Sequence, residues 1–226
     1  MAAKINAKPV IETQVKDPDL VSRRRRQIID GAVALFFEKG YHRTTTREIA
    51  KAVGFSIGLL YEYLSSKEDI LALVCENIHE EMENGVRQAV AGTENEAARL
   101  SHMIREYFLV CDRMSDHILL IYQETKSLTE SWRRVVLDNE VRMARIFHEA
   151  LSPLERDGLL PPMDDRTRML LAHDIVVWGH TWALRRWFLA RRYTLEEYTR
   201  YKVSLILKNE AAPGLPGRNT RKAAKP

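Results

Sequence analysis

The chain has 226 residues, with 35 lysines and arginines against 31 acidic residues, and two cysteines. At 45% hydrophobic and 29% charged, it is excluded from the collagens, the disulfide scaffolds and the wholly disordered chains. The net charge of +4 is unevenly spread: residues 1–65 carry four excess positive charges, 66–210 four excess negative, and 211–226 four cations with no acid. Such asymmetry points to nucleic acid or an anionic surface as partner, although a solvated tail alone supplies half of it.

No stretch approaches the roughly 18 apolar residues of a membrane span, so no membrane partner is expected. The first twenty residues lack an apolar signal core, which predicts a cytoplasmic protein. Cys75 and Cys111 have neither metal nor redox spacing and read as buried free thiols.

Residues 1–20, with Pro9 and Pro18 and little periodicity, read as a flexible N-terminal arm. From Ser22 to Lys39 an apolar stripe of Ile28, Ile29, Ala32, Leu35 and Phe36 predicts a helix, closed by Gly40. Thr45 and Glu48 have the spacing of a capping box and open a short helix through Val53, closed by Gly54. Ser56 caps a third helix, Ile57 to Leu64, and Ser65-Ser66-Lys67-Glu68 begins a long one that reaches about Val90. Further helices are expected at about 94–114, 116–127, 131–156, 165–192 and 195–209. Strand alternation is missing, so the fold class is all-α. The organisation that follows is an arm (1–20), a helix-turn-helix domain (21–66), an effector-binding and dimerisation domain (67–210) and a disordered basic tail (211–226).

The informative stretch is Thr44 to Lys67, TTTREIAKAVGFSIGLLYEYLSSK. Two short helices joined by Gly54-Phe55-Ser56 have helix-turn-helix geometry, with Ile49, Ala50, Val53, Leu60 and Leu64 closing a small core. The second helix would enter the major groove with its N-terminal residues toward base edges.

In these residues the chain resembles the TetR family of bacterial transcriptional regulators. The matching run takes in Ile28-Ile29-Asp30, Leu35-Phe36, Glu38-Lys39-Gly40-Tyr41, Thr44-Thr45 and Ile49-Ala50. It continues through Gly54-Phe55-Ser56-Ile57-Gly58, Leu60-Tyr61-Glu62-Tyr63 and Ser66-Lys67-Glu68. The resemblance implies an all-helical body that senses a ligand and dimerises. It also implies backbone contacts from Thr45, Thr46, Tyr61, Tyr63 and Lys67 to double-stranded operator DNA. Arg47 is the leading candidate for bidentate readout of guanine, its alternative being a solvated surface arginine. Gly58 permits close approach of backbone to DNA. Ile57 and Leu59 depart from the family's more polar usage and could meet thymine methyls, or leave readout to Arg47 and DNA shape. Arg23 to Arg26, before the first helix core, are candidates for phosphate or minor-groove contact, or a solvated helix start.

In the body, the resemblance implies a cavity for a small, largely apolar effector, with Tyr107, Phe108, Tyr122, Trp132, Phe147 and Trp178 as candidate lining and plain core as the alternative. Trp182, Trp187, Tyr198, Tyr201 and Leu205 are candidates for a homodimer interface of four helices. Such a dimer reads a pseudo-palindromic operator with half-sites roughly 34–36 Å apart. The stretch Ala183 to Phe188, followed by Thr194 to Tyr198, is similar to regulators of fatty-acid or acyl-CoA metabolism. The seven histidines show no ligand spacing, and no phosphate loop or nucleophile elbow occurs, so no metal, cofactor or enzymatic activity is expected. The reading that follows is a homodimeric repressor released from DNA by a small molecule. Its alternative, motivated by Ile57, Leu59 and Glu62, is a helical ligand-binding or interaction protein with degenerate, non-specific DNA binding.

Overall fold

The computed structural model describes residues 9–89 and 95–207; the expected basic tail at 211–226 lies outside them. The described residues hold helices and no strand. In chain order these are α1 (Pro18–Lys39), α2 (Thr46–Ala52), α3 (Ile57–Tyr61), α4 (Lys67–Ala89) and α5 (Glu96–Arg113). There follow α6 (Ser115–Glu124), extended by a 3₁₀ turn at Thr125–Ser127, then α7 (Glu130–Arg156), α8 (Asp165–Leu184), α9 (Arg186–Leu189) and α10 (Leu195–Leu207).

The chain forms two compact units. One comprises the described residues up to 83 together with 114–143; the other comprises the described residues of 84–113 and those from 144 onward. The division therefore does not fall at residue 66. The first part of α4, and α6, which packs against α1, belong with the helix-turn-helix.

In the first unit the expected stripe of α1 is realised: Ile28, Ile29, Ala32 and Phe36 are buried, with Ile49, Leu60 and Ile70 from the next three helices and Leu64 from the loop after α3, a helix that ends at Tyr61 rather than at Leu64. The arm is shorter than expected. α1 starts at Pro18, four residues before Ser22, because Asp17 caps it by accepting from the amides of Asp19 and Leu20, and proline suits a first-turn position. Residues 11–14 are tied down as well, through a buried Ile11 and hydrogen bonds from Thr13 and Gln14.

In the second unit α5 packs against α8 and α10. Its centre is aromatic: Tyr107 meets Phe147 edge-on at 5.5 Å, Phe108 meets Tyr198 at 5.5 Å, and Tyr198 meets Trp182 at 5.2 Å between centroids. A fork from Arg168 to Glu155, at 2.6 and 3.1 Å, joins α8 to α7 and holds the carboxyl below the usual carboxylate range. The helix expected over 165–192 is interrupted. α8 ends at Leu184, Arg185 leaves helical geometry at φ −111° and ψ 19°, and the four-residue α9 follows. The cysteines are free and buried, and burial pushes the Cys75 thiol up to about 12.

Candidate nucleic-acid interface

The site is built on α2 and α3. Thr45 caps α2 reciprocally: the Glu48 amide donates to Thr45 Oγ1 at 3.2 Å, while the Thr45 amide and hydroxyl each donate to Glu48 Oε2 at 2.9 Å. The second carboxylate oxygen of Glu48 accepts from Lys39 Nζ at 2.9 Å. The Lys39 ammonium, then the Thr45 amide and hydroxyl, lower the Glu48 carboxyl from 4.5 to about 2. Gly54 takes φ +74° in the turn, a value that favours glycine, and the Ser56 hydroxyl caps α3 by accepting from the Leu59 amide at 3.0 Å.

The exposed residues gather at the starts of the two helices. Thr46 Oγ1 lies 3.0 Å from the Tyr61 hydroxyl, which ties the first turn of α2 to the last residue of α3. Beside them Arg47 is exposed and makes no hydrogen bond or ion pair among the described residues. Ile57 and Gly58 are exposed and Leu59 is half-buried, while Leu60 points into the core. Among the described residues a Cβ added at Gly58 would meet only Ser56 Oγ, at 3.9 Å, so none of them requires glycine there.

Several residues are placed otherwise than the sequence suggests. Tyr63 is buried, 3% exposed, with its ring 6.4 Å from Phe55. Lys67 turns its ammonium inward, donating to the carbonyls of Tyr41 at 2.9 Å, Thr44 at 3.1 Å and His42 at 3.4 Å, and lies 4.3 Å from the Tyr41 ring centroid. Its three donors are thereby directed at backbone. The arginine run is also divided. Arg25 donates to the carbonyls of Tyr63 and Ile11, Arg26 to Asn77 and Glu81, and Arg24 lies over Phe55 and donates to Gln27. Arg23 alone of the four is exposed without a partner among the described residues.

The body residues separate too. Tyr107, Phe108 and Phe147 are fully buried in the second unit, where the Tyr107 hydroxyl lies 3.0 Å from His180 Nε2 and donates to the Val176 carbonyl. Trp178 is half-buried in that unit, with the Lys202 ammonium 4.6 Å from its ring centroid. Tyr122, which is exposed, and Trp132, which is buried, belong to the first unit. Of the candidate dimer residues, Trp182 and Tyr198 serve the chain's own core: Trp182 donates to Asp112 at 2.7 Å and Tyr198 to the Trp178 carbonyl at 2.9 Å. Trp187, Tyr201 and Leu205 are exposed. Sequence reasoning missed Thr13 and Arg25 as supports of the site, because their acceptors are backbone carbonyls far along the chain.

Comparisons with known proteins agree with the all-helical fold and its helix-turn-helix. Residues 28–74 match the family model described as bacterial regulatory proteins, tetR family, and residues 93–184 match that of a tetracyclin repressor-like C-terminal domain. The chain is 34% identical over 197 residues to the HTH-type transcriptional regulator HbdR of Aromatoleum sp. (strain CIB), covering 87% of this chain and 85% of that protein. It is 24% identical to the HTH-type transcriptional repressor KstR2 of Rhodococcus jostii (strain RHA1), over 85% of this chain and 93% of that one. Among solved structures, AibR in complex with isovaleryl coenzyme A and operator DNA is similar with a TM-score of 0.67 and 25% identity, over 81% of this chain and 98% of that chain.

Proposed function

Since the chain belongs to the TetR family of bacterial regulatory proteins, we propose that it is a cytoplasmic, homodimeric repressor that releases a pseudo-palindromic operator when it binds an acyl-coenzyme A. The observation that carries the DNA-reading part is Gly58. A glycine inside a helix costs about 1 kcal/mol relative to alanine, and this one answers to no close contact among the described residues. It sits on the exposed first turn of α3, where backbone must come close to base edges if that helix enters the groove. Around it, Arg47 offers a bidentate fork, Ile57 an apolar contact for thymine methyls, and Thr45, Thr46 and Tyr61 hydroxyls for phosphate. Leu59, half-buried, supports the same turn.

The effector part rests on three supports. A relative is named a repressor, and a similar solved structure holds isovaleryl coenzyme A with operator DNA. The second unit has an apolar, aromatic interior of Tyr107, Phe108 and Phe147, with the Tyr107–His180 pair as its polar point and Trp178 at its margin; the three rings are fully buried, so an acyl chain enters by parting them. The exposed Arg185 and Arg192 carry charge suited to the phosphates of the coenzyme. Exposed Tyr201 and Leu205 on α10, with Val177 on α8, are the surface that a second copy would cover. Release needs only that the effector bind the DNA-free arrangement better than the DNA-bound one.

The test is fluorescence anisotropy on a fragment of the regulator's own promoter, with random DNA as competitor. Isovaleryl coenzyme A and longer acyl-coenzyme A thioesters should displace the fragment, whereas free coenzyme A should not. Equal affinity for promoter and random DNA would overturn the regulator reading, and displacement by neither thioester would overturn the effector class.

A further inference from the structure

The recognition helix α3 has five residues, too few to hold its own conformation, so its attitude depends on what secures its two ends. The N-terminal end is secured by Ser56, whose hydroxyl accepts from the Leu59 amide, and the completely buried Leu60 holds the body of the helix to the core. At the C-terminal end the carbonyls that a helix leaves without intrahelical partners need donors from elsewhere. They receive them from the segment ahead of α1 and from Arg25 of α1 itself. The Glu62 carbonyl, at the C-cap, accepts from the Gln14 amide at 2.9 Å and the Thr13 hydroxyl at 2.9 Å. The next carbonyl, of Tyr63, accepts from Arg25 Nε at 3.1 Å, and the same guanidinium donates through Nη2 to the carbonyl of Ile11 at 2.8 Å.

We propose that residues 11–14 form a strap that sets the angle of the recognition helix, with Thr13 and Arg25 as positioning residues for operator reading; this rests on the DNA-reading function proposed above. Arg25 works from both sides, since one guanidinium holds the carbonyl after α3 and the strap that holds the carbonyl before it. Packing secures the strap at Ile11, which is buried, whereas Thr13, Val15 and Lys16 border an open groove of about 450 Å³ facing Ser22 and Asn77. The hydrogen bonds to Glu62 therefore fix the strap where apolar contact does not. A base-reading fork tolerates little misplacement, so loosening this end weakens recognition of the correct sequence first. Phosphate contacts, which depend on charge rather than on a fixed angle, are spared.

The experiment uses the full chain with two substitutions, Thr13→Val, which removes the hydroxyl donor, and Thr13→Ser, which keeps it. Promoter and random-DNA affinities, the salt dependence of each, and the thermal midpoint are measured together. Thr13→Val is expected to lower promoter affinity about fivefold, the worth of one hydrogen bond, with random-DNA affinity and salt slope unchanged and Thr13→Ser matching the parent. If the parent does not prefer its promoter, the underlying reading fails. If it does, and Thr13→Val binds as tightly, or Thr13→Ser loses as much, or random DNA weakens equally, the strap has no positioning role.

Discussion

Thr46 Oγ1 and the Tyr61 hydroxyl lie 3.0 Å apart, so two residues fifteen positions apart present a single hydroxyl pair from two helices. Each oxygen retains capacity for a phosphate oxygen, and each orients the other. Tyr61→Phe removes one neutral donor and should weaken binding to promoter and random DNA alike, by about 1 kcal/mol or roughly fivefold, with the salt slope intact. A sequence-selective loss in competition binding would contradict a backbone contact.

Gly58→Ala separates stability from recognition. The chain has room for the methyl, so the thermal midpoint should rise, corresponding to about 0.5–1 kcal/mol from helix propensity. Promoter affinity should fall at the same time because the added Cβ intrudes on the groove. Calorimetry and anisotropy on the same preparation check both signs.

Arg47 is exposed and uncommitted, so Arg47→Ala should leave the thermal midpoint within about 0.5 kcal/mol of the parent. Its effect on DNA should be a loss of about 1–3 kcal/mol together with relaxed preference at one operator position, read by binding to a library of operator variants. A uniform loss across the library would reassign the residue to phosphate.

The Glu48 carboxyl gives α2 a pH dependence of definite sign. Its folded value of about 2 lies below the ordinary 4.5, so the ionised form favours folding. That contribution is complete above about pH 4.5 and is lost as pH falls toward 2. Glu48→Gln keeps an acceptor for the cap but removes the charge. Its melting temperature should lie below the parent's at neutral pH, and the two curves should converge in acid. A gap that stays constant down to pH 2 would mean that the charge contributes nothing.

Exposed and inward residues of α8 and α10 should respond differently. On the proposed homodimer, Leu205→Glu places a charge on the exposed face and should shift the native mass from dimer toward monomer. Trp182→Phe removes the donor to Asp112 within the chain. It should lower stability by about 2 kcal/mol without changing the concentration dependence of the proposed dimer. Native mass spectrometry and chemical unfolding distinguish the two.

What the sequence disclosed was local. Thr45 and Glu48 are three residues apart, so their reciprocal cap is written in the spacing, as is the stripe from Ile28 to Phe36. Arg25 and Lys67 look like free cations in a one-dimensional reading because their acceptors, the carbonyls of Tyr63 and Tyr41, lie 38 and 26 residues away. Tyr61 and Tyr63 resemble a pair, yet residues two apart do not share a helical face, and the second turns into the core. The break at Arg185 has no glycine or proline to announce it, since Arg185-Arg186-Trp187-Phe188 continues a sequence that any helix would accept.

The inward turn of Lys67 has a mechanical consequence. It is the first residue of α4, a helix that runs on from the first compact unit into the second, and its ammonium grips the loop that delivers Thr45 to the start of α2. A lysine on phosphate would make this joint depend on DNA; a lysine on three carbonyls makes it permanent. The first turn of α4 and the loop ahead of α2 are thus one piece whether or not DNA is present, and Thr45 keeps its place at the start of α2 without help from a phosphate.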